Sequence, residues 1–441
     1  MKKILIYLLI LATVNSIQAQ KRTEKGVKAN SAEEFLNSIG VVSSISVRGE
    51  SLEKTIEHIN YTGIRWLRTG YEGNIPVTDL IRLHKHTGAR IGYGLLSGGN
   101  DIPRLLSGAR ELAKEGALLS IEGPNEPNNW GIKYDNVFGG KDQSWLPVAK
   151  LQRDLYDAIK NDPLLKNYPV WSISENGAQT DNVGLQFLTI PDNVHTLMPA
   201  GTKYADFANC HNYFCHPSWP GLHDNQTWLS ADPSILCPVD GLYGNYGSTW
   251  LRKFPGYTEN ELLNLPRVTT ETGMSTDEMV TEEVQGCLYM NMYLSQFKRG
   301  WKYTAMYLLR TRSDETNHEG YAFYRLDNTP KKAAIYLHHL TTILEDDTSS
   351  KNPGIVDFSI PDQPETVHEL LLQKSDGTFM LVVWGERFTG GTDDITIKLD
   401  KRYPLINIYD PTEGTAPLSQ LKNVNTVKLS MTNHPVILEF K

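Results

Sequence analysis

The chain has only four cysteines, no cluster of lysine and arginine and, beyond its N-terminus, no apolar run long enough to cross a bilayer. Each absence excludes something. Cys210, Cys215, Cys237 and Cys287 have neither metal-ligand nor redox spacing, so structural zinc and thiol redox chemistry drop out. In an exported chain they still permit disulfides, with three pairings open. Cys215 and Cys237 flank a loop rich in Pro, Gly and Trp and are the expected pair, whereas Cys210 in an apolar strand and Cys287 in a helical segment read as buried thiols. A net charge of −8 without a basic patch excludes a nucleic-acid binder and fits a neutral partner. Gly92-x-Gly94 and Gly98-Gly99 lack the spacing of a dinucleotide-binding loop. Gly-x-Ser-x-Gly and His-Glu-x-x-His are missing, which removes esterase and zincin mechanisms.

What is present begins with an address. Lys2 and Lys3 precede an apolar segment from Ile4 to Val14, followed by Ser16-Ile17-Gln18-Ala19 and Gln20. Residues 1–19 therefore read as a secretory signal peptide cleaved near Ala19, its apolar core shorter than the roughly 20 residues a membrane span needs. No cysteine follows the cleavage site, so the expectation is periplasmic or extracellular export without a lipid anchor or membrane span.

From residue 32 short apolar strands alternate with amphipathic helical stretches. Strands are expected at 39–45, 63–69, 90–96, from 118, and at 170–174, 205–213, 267–273 and 303–309. Helices are expected at 32–37, 52–59, 77–87, 102–115, 145–161, near 183–188, and at 281–298 and 330–344. Eight alternations predict a (β/α)8 barrel over 20–345 rather than an open sheet. From 346 to 441 strands follow one another without helices, at 367–373, 378–384, 395–399, 405–409, 426–430 and 436–440, which predicts a small antiparallel β-sandwich. It is either a structural domain or a carbohydrate-binding one.

In a parallel barrel the reactive side chains stand at strand C-termini. The run Leu118-Leu119-Ser120-Ile121-Glu122 leads into Gly123-Pro124-Asn125-Glu126-Pro127, and Arg267-Val268-Thr269-Thr270 leads into Glu271. Two carboxylic acids delivered from two strand ends are what glycosidic cleavage requires: one protonates the leaving oxygen, the other attacks the sugar. Glu126 is the candidate acid/base and Glu271 the candidate nucleophile. Glu122 is the rival acid on the same strand, and Glu175, ending the fifth strand, is the runner-up nucleophile, expected instead to touch substrate. Pro127 predicts an extended conformation for Glu126. The nine tryptophans and twenty-one tyrosines supply faces on which sugar rings stack. Trp130, just past the acid, is either such a platform or a packing residue.

The Asn-Glu-Pro run, the late strand-end Glu271 and the strand spacing together resemble clan A of the glycoside hydrolases, the retaining (β/α)8-barrel enzymes, across residues 35–345, with families 5, 30 and 39 nearest in texture. The resemblance implies that Asn125 binds the hydroxyl beside the reacting carbon. It also implies that Tyr213 of His211-x-Tyr213 hydrogen-bonds the nucleophile while His211 lines the subsite, and that Arg68 pairs with the nucleophile. An ordinary rim salt bridge is the other reading of Arg68, and a metal site that of His211, although no second ligand stands at a suitable spacing. The chain departs from the clan where a Trp platform commonly ends the eighth strand: here stand Tyr307, Leu309 and Arg310. Trp219, Trp228, Tyr243, Tyr246 and Trp250, in the long segment between Phe214 and Pro266, are candidates for the missing wall. The mechanism requires no metal or organic cofactor, and no obligate protein partner is evident. The expected partner is a polysaccharide or oligosaccharide. The competing readings are a non-catalytic glycan binder and a transglycosylase using the same residues.

Overall fold

The computed structural model describes residues 22–23, 26–71, 74–140, 143–174, 202–215, 220–233, 237, 261 and 264–441. The expected signal peptide, the helix near 183–188 and Glu175 lie outside them. Eight parallel strands form the central sheet: β1 (Ile39–Val42), β2 (Trp66–Gly70), β3 (Arg90–Gly94), β4 (Leu118–Glu122), β5 (Val170–Trp171), β6 (Ala208–Cys210), β7 (Arg267–Thr272) and β8 (Trp301–Met306). Their order is β5-β4-β3-β2-β1-β8-β7-β6, and a parallel bridge between Trp171 and Phe207 closes the ring between β5 and β6. The barrel expected from the alternation is therefore present.

Helices α1 (Ala32–Ser38), α2 (Leu52–Thr62), α3 (Val77–Thr87), α4 (Ile102–Lys114), α5 (Leu146–Asn161), α6 (Gln226–Ser230), α7 (Glu282–Lys298) and α8 (Lys332–Leu344) cover it. Local chemistry sets their ends. Ser51 and Asp101 accept the backbone N–H groups of Lys54 and Arg104 at the starts of α2 and α4, and Gly63 stops α2 with φ of 68°. Among the described residues no helix is long and apolar enough to cross a membrane.

The barrel interior below the strand ends is aromatic. Trp66 on β2 and Trp171 on β5 are fully buried and meet edge to face, ring centroids 5.3 Å apart. Room for Trp66 depends on Gly40: a Cβ there would lie 2.0 Å from its indole Cε2. Arg68, two residues along β2, shares the inward face and stands one layer nearer the mouth.

Five longer strands make the C-terminal sheet: β9 (Val367–Gln373), β10 (Phe379–Gly385), β11 (Asp393–Tyr409), β12 (Ser419–Met431) and β13 (Pro435–Phe440). Side chains on β10 alternate between two cores. Leu381 and Val383 join the sandwich core, while Met380, Val382 and Trp384 join the barrel's. Both faces are thus apolar, as the unbroken run Met380–Trp384 requires. Helix α7 lies in this seam, where the Asn291 amide donates to the carbonyls of Gly385 (2.9 Å) and Asn433 (3.1 Å). Glu386 is buried there and accepts from the backbone N–H groups of Thr227 (2.9 Å) and Trp228 (3.2 Å); burial pushes its carboxyl up to about 7.

Two expectations are revised. The segments read as separate strands at 395–399 and 405–409 are one strand, β11, with a register break against β12 between Lys398 and Tyr403. The N-terminal residues also belong to the C-terminal sheets: Asn30–Ser31 runs parallel to β9, and Gly26–Lys28 pairs with Ile355–Val356. The chain's start is thereby tied across the molecule to residues more than three hundred positions away.

Candidate active site

The site is built at the barrel mouth around one guanidinium. Arg68 is buried and makes four bonds: Nε and NH2 to the two carboxylate oxygens of Glu122 (2.9 and 2.8 Å), NH2 to Asn125 Oδ1 (2.7 Å), and NH1 to Glu271 Oε1. Burial works against its charge, but Glu122 and Glu271 outweigh that and hold its pKa above the ordinary guanidinium value. Glu122, read as the rival acid, is fully buried and committed to this fork, so it is not a candidate proton donor. Gly94 on the neighbouring strand makes room for it, since a Cβ there would stand 2.8 Å from Glu122 Cβ.

Because guanidinium only donates, Asn125 must present Oδ1 to Arg68, and its Nδ2 then donates to Ser97 Oγ at 3.0 Å. Glu126 is not extended as Pro127 led us to expect. Its φ is +41°, in the left-handed region. The turn around it enforces this: Glu126 N–H donates to Ser174 O, and its carbonyl accepts from the N–H groups of Asn129 and Trp130, all at 2.8 Å. The strand itself ends at Glu122, and this turn aims the Glu126 carboxyl at His211.

That carboxyl meets His211 Nδ1 at 2.6 Å through Oε1, and accepts from Asn129 Nδ2 at 3.1 Å through Oε2. Burial disfavours its charge, but the bonds from His211 and Asn129 and the nearby Arg68 outweigh the burial and hold it below the ordinary carboxylate range as long as Nδ1 carries a proton. Glu271 accepts from Arg68 through Oε1 and from the Tyr213 hydroxyl at 2.9 Å through Oε2. Burial first, then the charges of Glu271 and Glu126, push the Tyr213 phenol well up, so it stays a donor. Glu126, His211 and Glu271 each bring one donor atom to within 4.8 Å of the others. Among the described residues they form the group geometrically able to hold a metal ion, although both nitrogens of His211 already have partners in Glu126 and Thr270.

Six residues singled out in the sequence thus converge: Arg68, Asn125, Glu126, His211, Tyr213 and Glu271. Tyr307 borders them, its ring at 6.5 Å from that of Tyr213, with its hydroxyl against His318 Nδ1 (2.9 Å) and Glu315 (3.2 Å). Trp130 is 54% exposed. Trp228 stacks on His368 of the sandwich (4.1 Å) and is therefore no wall of the site. Trp219, Tyr243, Tyr246 and Trp250 lie outside the described residues. The expected disulfide is absent: the Cys215 thiol meets Gly273 O at 3.5 Å, beside the end of β7, while the Cys237 thiol lies against Leu229 O and Ser230 O at the end of α6. The two cysteines are anchored to different elements. Sequence reasoning missed the supporting shell of Ser97, Asn129, Asn209 and Thr270. Asn209 and Thr270 are polar residues inside otherwise apolar strands, the only signal they gave, while Ser97 and Asn129 stand in turns and gave none.

No family model matches the chain, and no curated protein matches it in sequence. Solved structures do match. A family 39 glycoside hydrolase from the gut symbiont Bacteroides cellulosilyticus WH2 superposes with a TM-score of 0.55 at 14% identity, over 93% of this chain and 82% of that one. A bifunctional glucanase-xylanase from a metagenome library gives 0.56 at 10% identity, over 94% and 99% of the two chains. A family 51 arabinofuranosidase from Xanthomonas axonopodis pv. citri gives 0.55 at 10% identity, over 95% and 98%. At such identities the likeness is one of fold, a barrel of the kind these glycoside hydrolases have.

Proposed function

We propose that this chain is an exported retaining glycoside hydrolase that cleaves β-glycosidic bonds of a polysaccharide or oligosaccharide, with Glu126 as acid/base and Glu271 as nucleophile. The observation that carries the reading is the closeness of the two carboxylates, whose oxygens come within 4.8 Å of each other. Retaining enzymes need about 5–5.5 Å, whereas inverting ones need about 6.5–9.5 Å to admit a water between the groups. The fold neighbours are glycoside hydrolases, which supports the same class.

The chemistry follows from the bonds. Arg68 and Tyr213 each hold one oxygen of Glu271, which keeps the carboxylate oriented for attack on the anomeric carbon. As the C–O bond breaks, its electron pair goes to the leaving oxygen, and Glu126 supplies the proton. In the second step Glu126 takes a proton from water, the water oxygen bonds to the anomeric carbon, and Glu271 leaves as carboxylate. Asn125 has one amide hydrogen committed to Ser97, and the other is available to the adjacent sugar hydroxyl. Trp130, exposed one turn beyond Glu126, serves as a stacking surface on the leaving-group side.

The test is a screen of the mature chain against defined β-glucans, xylans, mannans and galactans, with Glu271→Gly as control. Cleavage abolished in the variant is expected. Binding without cleavage would instead assign a glycan-binding protein, and products longer than the substrate a transglycosylase.

A further inference from the structure

His211 is bonded through both nitrogens, and what lies behind it decides which nitrogen carries a proton. Buried Glu122 is an acceptor held by the Arg68 fork. Asn209 Nδ2 donates to Glu122 Oε1 (3.1 Å) and to Ser172 O (3.4 Å), which orients the amide so that Oδ1 faces Thr270. Thr270 Oγ1 therefore has two acceptors before it, Glu122 Oε1 at 2.9 Å and Asn209 Oδ1 at 3.1 Å. A hydroxyl has one proton, and it is spent on these. Toward His211 Nε2, 3.0 Å away, Thr270 can offer only a lone pair, so Nε2 must carry hydrogen. A neutral His211 then has a bare Nδ1, and this faces Glu126 Oε1 at 2.6 Å. Two lone pairs do not sit at that distance without a proton between them.

We propose that Glu122 and Thr270 are positioning residues which lock His211 as its Nε2–H tautomer, so that the Glu126–His211 pair retains one shared proton for the leaving group. The inference rests on the acid/base reading of Glu126 for its catalytic consequence, but the tautomer itself does not. When Glu126 gives its proton to the leaving oxygen, its carboxylate is left opposite the bare Nδ1. No neutral histidine donor stabilises it there, which makes it a stronger base toward the attacking water. The other groups facing the pair are Arg68, whose charge favours loss of the proton, Glu271, 3.6 Å from His211 Nδ1, which favours keeping it, and the Tyr213 phenol, which donates to Glu271.

Thr270→Val keeps the volume and removes the hydroxyl. Nε2 then has no acceptor, and neutral His211 can take the Nδ1–H form and donate to an ionised Glu126. We expect the alkaline limb of the kcat/KM profile to move down by about one pH unit. Turnover of unactivated glycosides at neutral pH should fall about tenfold, with a much smaller loss on activated aryl glycosides, whose departure needs little acid help. Thr270→Ser should restore the profile. An unshifted limb, or equal losses on both substrate types, would overturn the proposal. The imidazole 15N signals of His211 give a readout that needs no activity. Protonated Nε2 in the parent chain and a switch toward Nδ1–H in Thr270→Val support the lock, whereas Nδ1–H in the parent refutes it. If no glycoside is cleaved but these signals behave as stated, the hydrolase reading fails and the lock stands.

Discussion

Replacing Glu122 by Gln tests whether the buried ion pair organises the site. Glu122 and Arg68 have side chains 1% and 2% exposed and share two parallel hydrogen bonds, so the variant leaves a buried guanidinium facing an amide that offers only one acceptor. Removing one partner of such a pair costs about 3–5 kcal/mol. Arg68 keeps Glu271 and Asn125, and Gln keeps the shape, which places the loss near the lower end, at about 3 kcal/mol. With an unfolding entropy of about 2 cal/mol/K per residue over roughly 300 cooperative residues, that corresponds to a fall in Tm of about 5 °C. Thermal unfolding followed by circular dichroism measures this directly, and kcat/KM should fall alongside because Arg68 also positions Glu271. Removing both partners, as Arg68→Met with Glu122→Leu, should cost less than the two single losses together. A Tm within about 1 °C of the parent, with unchanged kcat/KM, would refute the reasoning.

Further outcomes follow from single contacts. Tyr213→Phe removes the 2.9 Å bond to Glu271, a charge-assisted bond worth about 1.5–3 kcal/mol, and should lower kcat/KM by about ten- to a hundredfold while Tm falls by no more than about 5 °C. Trp130→Ala, at a side chain 54% exposed, should leave Tm unchanged and weaken oligosaccharide binding, measured by calorimetry, by about 0.5–1.5 kcal/mol. Glu386 has a folded pKa raised from 4.5 to about 7, so its contribution is fully present below 4.5 and is lost as pH rises through 7. Glu386→Gln should therefore gain stability relative to the parent as pH rises across that window. A pH-independent difference in chemical denaturation would refute this.

The sequence made the barrel legible because eight short apolar strands and their helices repeat a local pattern, and local patterns survive in any reading of periodicity. The six convergent side chains were legible for a related reason: each stands at a strand end or inside a short motif. What escaped was whatever depends on a partner far along the chain. Glu122 looked like a rival to Glu126 because nothing local reveals that Arg68 holds it from across two strands. Thr270 and Asn209 looked like ordinary strand residues. The left-handed turn at Glu126 overrode the preference imposed by Pro127, since three backbone hydrogen bonds hold it. Pairing of Asn30–Ser31 with β9 was equally hidden, because strand pairing at such separation leaves no trace in either segment alone. The Cys215–Cys237 expectation failed because proximity in sequence says nothing about which element anchors each thiol.

The central claim is double displacement through Glu271, and trapping the intermediate tests it most directly. Glu126→Ala should attack an activated aryl glycoside normally but release the sugar slowly, so that a quenched sample gains the mass of one glycosyl unit. Peptide mapping should locate that mass on Glu271, and azide should discharge it as a glycosyl azide of retained configuration. A variant that turns over the activated substrate without an adduct on Glu271, or that yields the inverted product, would contradict the account.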